Sequence, residues 1–301
     1  MTLRLATAPV SWGIWEQTID RTDLVPPGRL LETVTGMGYR AIESGPPGYL
    51  APTGAAAVEL IGPFGIEIVA TFLPLRLDNV AWFAEDLAAL DQTTEVLAAT
   101  GDGLVILADQ ERPERALAAG QPDRLRATGW SEATFDLAAE HLEIARARCA
   151  ERGLRASFHP HAATYVESPE EIDMLFARTP PELGLCLDTG HTVVGGGDPL
   201  DIVRRYADRL VHLHLKDVDR AVLDRLRAGL IDMDEAWQEG IFCPFGEGVV
   251  PLQEFMGLEE VRSLDGFAVL EQDRMAVTVE DLPAVQAVEA ENLRRIETWL
   301  A

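Results

Sequence analysis

Residues Leu210–Asp217 of this 301-residue chain have the sequence LVHLHLKD, which indicates the class of its fold. It begins as an apolar strand and ends in imidazole, ammonium and carboxylate groups. Because side chains alternate along a strand, His212, His214 and Lys216 share one side and aliphatic residues occupy the other. A buried strand whose carboxyl end carries such groups is typical of a parallel barrel strand that ends in a site. The stretch therefore predicts a parallel α/β fold.

Seven further apolar runs follow the same pattern, and eight helical patterns alternate with the eight runs. Start signals mark several helices; Ser168 precedes Pro169, which places serine at the N-cap and proline at the first helical position. Eight strand–helix pairs over 301 residues predict a (β/α)8 TIM barrel that forms a single domain over residues 1–301. The predicted strands are Leu3–Val10, Arg40–Ser44, Ile66–Leu73, Gly103–Ala108, Leu154–His159, Leu183–Asp188, Leu210–Leu215 and Phe267–Glu271, and the predicted helices are Gly28–Met37, Gly54–Leu60, Val80–Ala98, Ser131–Arg152, Pro169–Ala177, Pro199–Tyr206, Leu252–Ser263 and Val277–Leu300.

A doubly wound open sheet is the alternative architecture. It is disfavoured because no G-x-G-x-x-G motif follows the first strand and because the composition does not change at mid-chain. Two long segments between strands, near 109–130 and 218–250, are predicted to be loops at the top of the barrel. The second of these segments holds Trp237 and the motif Gly246–Gly248.

Polar side chains collect at the predicted strand ends, where the active sites of such barrels lie. Five of the six histidines and the only lysine are among them. One such histidine alone is more often structural than a ligand, but acidic or imidazole groups at four consecutive strand ends predict a metal site. Carboxylate and imidazole ligands suit Mn, Co, Zn, Fe or Mg without separating them. The strand-end groups are Glu43, His159, His161, Asp188, His191, His212, His214, Lys216 and Glu271.

Several residues in this region also have structural interpretations. Asp188 can cap the turn that follows it, and Glu43 can pair with an arginine inside the barrel. Trp12 and Trp15, which follow the first strand, can either pack at the barrel mouth or form a stacking wall for a sugar ring. Lys216 is the only lysine among 25 basic residues, either by chance or because arginine cannot serve there. The sequence leaves these alternatives open.

The charge balance limits the partners of the chain. Fifty acidic residues against 25 basic ones give a net charge of −25, which argues against nucleic acid or an anionic membrane surface as a partner. No apolar run reaches roughly 18 residues, so no transmembrane helix is expected. The start Met1–Arg4 lacks a basic region followed by an apolar one, so no signal peptide is expected and the predicted location is the cytoplasm.

At the strand ends the sequence resembles the xylose isomerase-like TIM-barrel superfamily of sugar isomerases, epimerases and dehydratases. Within it the sequence is most similar to the inosose dehydratases, which act on 2-keto-myo-inositol, although Ala8 stands where these enzymes often carry asparagine. The resemblance covers nearly the whole chain, and barrels of this superfamily are often homo-oligomers. The matching segments are Ala8–Gly13, Gly38–Glu43, Phe158–His161, Leu187–His191, His212–Asp217 and Leu270–Asp273.

The resemblance implies one divalent metal ion (Mn, Co, Zn, Mg or Fe) at the ends of strands five to eight. Asp188, His214 and Glu271 match three of its ligands by position. Many members carry a glutamate ligand on strand five; His159 takes that place here, and His161, two residues on and facing the same way, is the alternative. The fourth ligand is therefore expected to be a histidine.

The resemblance also implies an enzyme, a lyase or an isomerase or epimerase, that works through an enediolate of a small polyol or ketose. A keto-inositol dehydratase of inositol catabolism is the preferred interpretation. A ketose isomerase or epimerase, and a barrel that binds a sugar or a metal without turnover, are the alternatives. The implied roles are general base for Glu271, His161 or Glu43, oxyanion stabilisation or proton donation by Lys216 or His191, and substrate contact by Trp12, His161, His191 and Lys216.

Overall fold

Eight parallel strands close into a barrel surrounded by helices, as the alternation of strands and helices predicts. The structure is a computed structural model that describes residues 3–101 and 103–301. Met1 and Thr2, on which the expectation of no signal peptide partly rests, lie outside the described residues. The barrel strands are β1 Arg4–Thr7, β2 Ala41–Glu43, β3 Glu67–Leu75, β4 Leu104–Asp109, β5 Arg155–Phe158, β6 Gly184–Asp188, β7 Leu210–Leu215 and β8 Phe267–Leu270.

Helices cover the outside of the barrel, and side-chain caps start several of them. The Ser168 hydroxyl accepts the N–H of Glu171, whose carboxylate accepts the N–H of Ser168 in return. Among the described residues, no helix combines the length and the hydrophobicity that crossing a bilayer requires. The helices are α1 Pro27–Gly36, α2 Gly54–Ile61, α3 Val80–Thr100, α4 Pro113–Ala116, α5 Pro122–Thr128, α6 Glu132–Glu151, α7 Pro169–Phe176, α8 Thr189–Val194, α9 Pro199–Arg205, α10 Arg220–Arg227, α11 Met233–Gln238, α12 Leu252–Met256, α13 Glu259–Arg262 and α14 Leu282–Leu300.

The barrel closes because β1 pairs with both β8 and β2. Around the ring the order is β1-β8-β7-β6-β5-β4-β3-β2, and every pair is parallel. Asp188 at the end of β6 lies beside His214 of β7, which in turn lies beside Val269 of β8. This register brings the polar ends of β6, β7 and β8 to one edge of the barrel.

Some elements end earlier than predicted where proline or glycine interrupts them. The predicted strand Leu3–Val10 ends at Thr7, because Pro9 begins a 3-10 turn. The predicted helix Leu252–Ser263 is two short helices, α12 and α13, and the first of them ends before Gly257.

The segment near 109–130, predicted as a loop at the top of the barrel, contains two short helices, α4 and α5. The fully buried Arg115 anchors this segment. Its Nε donates to the carbonyl of Thr164 at 2.6 Å, and its Nη2 donates to Glu171 Oε1 at 2.7 Å. These charge-assisted hydrogen bonds fix the segment against the chain that follows β5 and carries His161.

The segment near 218–250, also predicted as a loop, contains helices α10 and α11 and a short antiparallel strand pair. The buried carboxylate of Asp217 anchors it by accepting four backbone N–H groups. Gly248 is required there, because a Cβ at this position would lie 2.3 Å from Asp217 Oδ1. The donors are the N–H groups of Val218 at 2.9 Å, Gly246 at 2.7 Å, Gly248 at 3.0 Å and Val250 at 3.0 Å.

Candidate active site

Four side chains from four consecutive strands meet at the carboxyl end of the barrel. His159 follows β5, Asp188 ends β6, His214 lies in β7 and Glu271 follows β8, and each is at most 4% exposed. His214 Nδ1 lies 3.1 Å from His159 Nε2, 3.3 Å from Glu271 Oε2 and 3.8 Å from Asp188 Oδ2. His159 Nε2 lies 3.7 Å from Asp188 Oδ2. The structure thus brings together the four residues that the sequence analysis assigns as metal ligands.

Four of the separations among these atoms suit a single metal ion. Ligand atoms bound tetrahedrally at roughly 2.1 Å lie roughly 3.4 Å apart, which falls within the range of the four distances. Asp188, His214 and Glu271 all offer ligand atoms within 4.8 Å of one another. Two imidazoles and two carboxylates form a donor set that several divalent transition metals accept. These residues could therefore hold one divalent ion.

Glu43 orients His214 from across the barrel interior. Its Oε1 accepts hydrogen bonds from His214 Nε2 at 3.0 Å and from His212 Nε2 at 2.8 Å. Burial alone would raise the pKa of Glu43, but the charge of His214 and the hydrogen bonds from both histidines lower it below its ordinary value. Because an ionised carboxylate only accepts, His214 keeps a proton on Nε2 and turns Nδ1 toward the other three candidate ligands.

Lys216 places a positive charge directly on the candidate ligand set. Its Nζ donates to Asp188 Oδ2 at 2.7 Å and to Glu271 Oε2 at 2.6 Å, and it lies 3.3 Å from Asp273 Oδ1. The side chain is 3% exposed. Burial would lower the pKa of Lys216, but the three carboxylates, Asp188 above all, raise it well above its ordinary value. The ammonium group is therefore charged, and it shares oxygens with the candidate metal ligands.

The rings of His161 and His191 lie close together, with centroids 3.7 Å apart and planes tilted by 37°, and the peptide groups of Ala162 give them opposite tautomers. His161 Nδ1 donates to the carbonyl of Ala162 at 2.8 Å, whereas His191 Nδ1 accepts the N–H of Ala162 at 3.3 Å. His161 therefore has a free lone pair on Nε2, and His191 has a proton there. Burial lowers the pKa of both imidazoles well below the ordinary value, so both are neutral.

A cavity of about 590 Å³, including its part open to solvent, lies over these groups. A second cavity, of about 470 Å³, is lined largely by apolar residues such as Leu50 and Val96, and none of the predicted site residues lines it. Most of the predicted site residues line the first cavity, and three lie behind its wall. The lining residues are Glu43, His159, His161, His214, Lys216 and Glu271, and those behind are Trp12, Asp188 and His191.

The two N-terminal tryptophans, Trp12 and Trp15, lie in different environments. Trp12 is fully buried, and its Nε1 donates to Thr7 Oγ1 at 3.4 Å, which corresponds to the packing alternative. Trp15 lines the cavity together with Trp237, and their ring centroids are 5.7 Å apart. These two indoles form the aromatic wall of the cavity.

Several residues that line the cavity were not assigned from the sequence, among them Asp273, Glu111 and Trp237. Asp273 lines it two residues after Glu271, a spacing that places both side chains on one side of an extended chain and could have identified it. Glu111 and Trp237 come from the two long segments, where no periodic pattern marks them. Burial, followed by the charge of Glu16, raises the pKa of Glu111 to about 8.

Comparison of the sequence with curated proteins finds relatives over most of the chain. The inosose dehydratase of Geobacillus kaustophilus (strain HTA426) is 29% identical over 278 residues, which cover 90% of this chain and 87% of that protein. The rhizopine catabolism protein MocC of Rhizobium meliloti is 30% identical over 281 residues, which cover 91% of this chain and 82% of that protein.

Solved structures share the fold at lower sequence identity. The IOLI protein, solved with a bound zinc atom, superposes with a TM-score of 0.72 at 13% identity, and the match covers 99% of this chain and 98% of that one. The family described as xylose isomerase-like TIM barrel matches residues 31–296. This match and the relationship to MocC extend over most of the barrel, and the chain therefore belongs to the xylose isomerase-like TIM barrel family.

Proposed function

We propose that this protein is a divalent-metal-dependent dehydratase of a keto-inositol. The observation that carries the proposal is the convergence of His159, Asp188, His214 and Glu271 at the spacing of a single metal site. The cavity above them is lined by aromatic and other apolar side chains together with convergent polar groups, as small-molecule sites are. The relative named inosose dehydratase supports the choice of a keto-inositol as substrate.

The residues around the cavity have complementary tasks in this proposal. A divalent ion held by the four candidate ligands would supply Lewis-acid polarisation of the substrate ketone. The ammonium group of Lys216 lines the cavity and adds a positive charge that stabilises negative charge developing on the substrate oxygen. Trp15 and Trp237 offer an apolar surface to the carbon ring of the substrate and exclude water from that side of it.

His161 is the proposed general base. Its Nε2 carries a free lone pair, it is neutral, and it lines the cavity. Among the alternatives, Glu43 already accepts two histidine donors, and Glu271 accepts Lys216. His161 Nε2 would take the proton from the carbon beside the ketone and return it to the departing β-hydroxyl, which leaves as water. His191 packs against His161, with ring centroids 3.7 Å apart, and acts as a positioning residue.

The test is an absorbance assay on 2-keto-myo-inositol with added Mn²⁺ or Co²⁺, together with elemental analysis of the purified protein. We expect about one metal ion per chain and a rising enone signal. Glu271→Gln should lose most of the activity and bind metal more weakly, whereas Glu280→Gln, the same change at an exposed position, should behave as the wild type. Full activity in Glu271→Gln would contradict the site assignment.

The same assay separates the alternative functions. Metal binding without an enone signal, together with exchange of the proton beside the ketone, would indicate a ketose isomerase or epimerase. Binding of substrate without exchange or product under any metal would indicate a non-catalytic barrel. The cytoplasmic location, the role in inositol catabolism, the single domain over residues 1–301 and a homo-oligomeric state stay predictions from the sequence.

A further inference from the structure

We propose that Lys216 is a built-in counter-cation that competes with the divalent ion for Asp188 and Glu271 and moves to Asp273 when the ion binds. The proposal rests on the metal site of the proposed function. It goes beyond that function by assigning control of metal affinity to one side chain of the protein itself.

The competition follows from shared atoms. Lys216 Nζ lies 2.7 Å from Asp188 Oδ2 and 2.6 Å from Glu271 Oε2. These are the two carboxylate oxygens that face His214 Nδ1, at 3.8 Å and 3.3 Å. An ammonium group and a divalent cation at this place would repel each other at close range in a site shielded from water. Binding of the ion therefore requires the ammonium group to withdraw.

A cation is needed in the metal-free site. Asp188 and Glu271 are 1% and 4% exposed, and two buried carboxylates this close together repel each other unless a positive partner lies between them. Lysine suits this task better than arginine, because its ammonium group is compact and sits on a flexible stem. The chain uses arginine for the rest of its 25 basic residues, so the single lysine at this position is distinctive.

Only the side chain of Lys216 is free to move. The Thr189 hydroxyl donates to the carbonyl of Lys216 at 2.8 Å and accepts its N–H at 2.9 Å, which fixes the backbone on both sides. Gly190 leaves space for the stem, because a Cβ there would lie 2.6 Å from Lys216 Cβ and 2.8 Å from Phe242 Cε1. The stem therefore pivots about a fixed backbone.

Asp273 provides a second position for the ammonium group. Its Oδ1 lies 3.3 Å from Lys216 Nζ and has no hydrogen-bond partner among the residues that the structure describes, although the side chain is only 7% exposed. A buried carboxylate oxygen without a donor is costly, and a short movement of Nζ would satisfy it. The displaced lysine would then stay charged and paired while the ion holds the other two carboxylates.

The test compares Zn²⁺ affinities, measured by titration calorimetry, in the wild type, Lys216→Met and Asp273→Asn. Removing the competitor should lower the Kd in Lys216→Met by roughly tenfold or more, whereas removing the second acceptor should raise the Kd in Asp273→Asn. In the Lys216→Met background, Asp273→Asn should have no effect, which distinguishes an acceptor of lysine from a metal ligand. Arg220→Met, which removes one exposed positive charge, should match the wild type.

The outcomes separate this proposal from the proposed function. Equal or weaker Zn²⁺ binding by Lys216→Met would overturn the role of Lys216 and leave the metal site intact. Absence of Zn²⁺ binding in both the wild type and Lys216→Met would overturn the metal site and this proposal with it.

A second measurement uses the wild-type protein and therefore does not require that a variant folds. Labelling the protein with ¹³C at lysine Cε gives one lysine signal, because the chain contains one lysine. One equivalent of Zn²⁺ should move this signal in the wild type. An unchanged signal in protein shown by calorimetry to hold Zn²⁺ would mean that Lys216 does not move, and would overturn the proposal.

Discussion

Glu43 and His214 lie 171 positions apart in the sequence and are joined across the barrel interior by a hydrogen bond of 3.0 Å. The bond connects β2 to β7, which are not neighbours in the ring. A carboxylate behind a histidine sets which ring nitrogen carries the proton and makes the other a better ligand. Glu43 therefore acts on the proposed metal site through His214, and the two residues form one functional unit.

The first prediction concerns this unit. Glu43→Gln keeps the shape of the side chain but removes its charge, so His214 becomes a poorer ligand. We expect the affinity for Zn²⁺ to fall roughly 10- to 100-fold, as for other residues that support metal ligands. Equilibrium dialysis measures this change, and Glu67→Gln, at an exposed position at the start of β3, is the matched control. A Kd unchanged from the wild type would show that Glu43 does not support the ligand.

The second prediction separates proton transfer from metal binding. His161→Gln removes the proposed base but none of the four candidate ligands, so the metal content should stay at the wild-type level. Loss of a positioned base lowers kcat by roughly 10²- to 10⁴-fold. His214→Gln should lose both metal and activity. Steady-state kinetics and elemental analysis of both variants distinguish a base from a metal ligand. Loss of metal in His161→Gln would show that His161 is a ligand.

The convergence at the candidate site could be predicted because it depends on topology. His159, Asp188, His214 and Glu271 stand at or next to the ends of consecutive parallel strands, and such ends share one edge of a barrel. Strand alternation also places Lys216 on the side of His214. Short apolar runs and polar strand ends are therefore enough to predict the barrel and the polar groups at its carboxyl end.

The cavity wall could not be predicted, because it depends on contacts between distant residues. Trp12 and Trp15 look equivalent in the sequence, but a 3-10 turn points the first indole at Thr7 and leaves the second at the cavity. Trp237 reaches the cavity from a segment that the buried Asp217 anchors. No periodic pattern encodes such anchoring, since one carboxylate binds backbone groups that any residue possesses.

The third prediction is a pH dependence of stability. Burial raises the pKa of Asp109 to about 7, whereas in the unfolded chain it titrates near its ordinary value of 3.8. Between these values the folded state holds the extra proton, so the free energy of unfolding falls as pH rises, by about 1.4 kcal/mol per pH unit at mid-window. Asp109→Asn removes this dependence and keeps an acceptor for the N–H of Tyr165.

Urea unfolding of both proteins at intervals from pH 4.5 to 8 checks the slope. The stability of Asp109→Asn relative to the wild type should rise through this window and level off above about pH 7. Asp123→Asn, at an almost fully exposed position, should run parallel to the wild type. Parallel curves for Asp109→Asn and the wild type would show that Asp109 is ionised in the folded protein.

The fourth prediction concerns the anchor of the second long segment. Asp217 accepts four backbone N–H groups, and an asparagine amide nitrogen cannot accept any of them. Leaving buried donors unpaired should make Asp217→Asn less stable by about 2–4 kcal/mol. Asp219→Asn is the control, because Asp219 accepts a single N–H, that of Val222, at the start of α10.

Urea unfolding measures how much unfolding free energy each of the two variants loses. Amide hydrogen exchange shows which part of the chain is destabilised. Because asparagine keeps one acceptor oxygen, exchange should quicken in Asp217→Asn at one pair of N–H groups, either Gly246 and Gly248, which share Oδ2, or Val218 and Val250, which share Oδ1. Because the same segment carries Trp237 to the cavity, KM should rise in this variant as the aromatic wall loosens. A stability loss no larger than that of Asp219→Asn would show that the segment is held by its apolar contacts and not by Asp217.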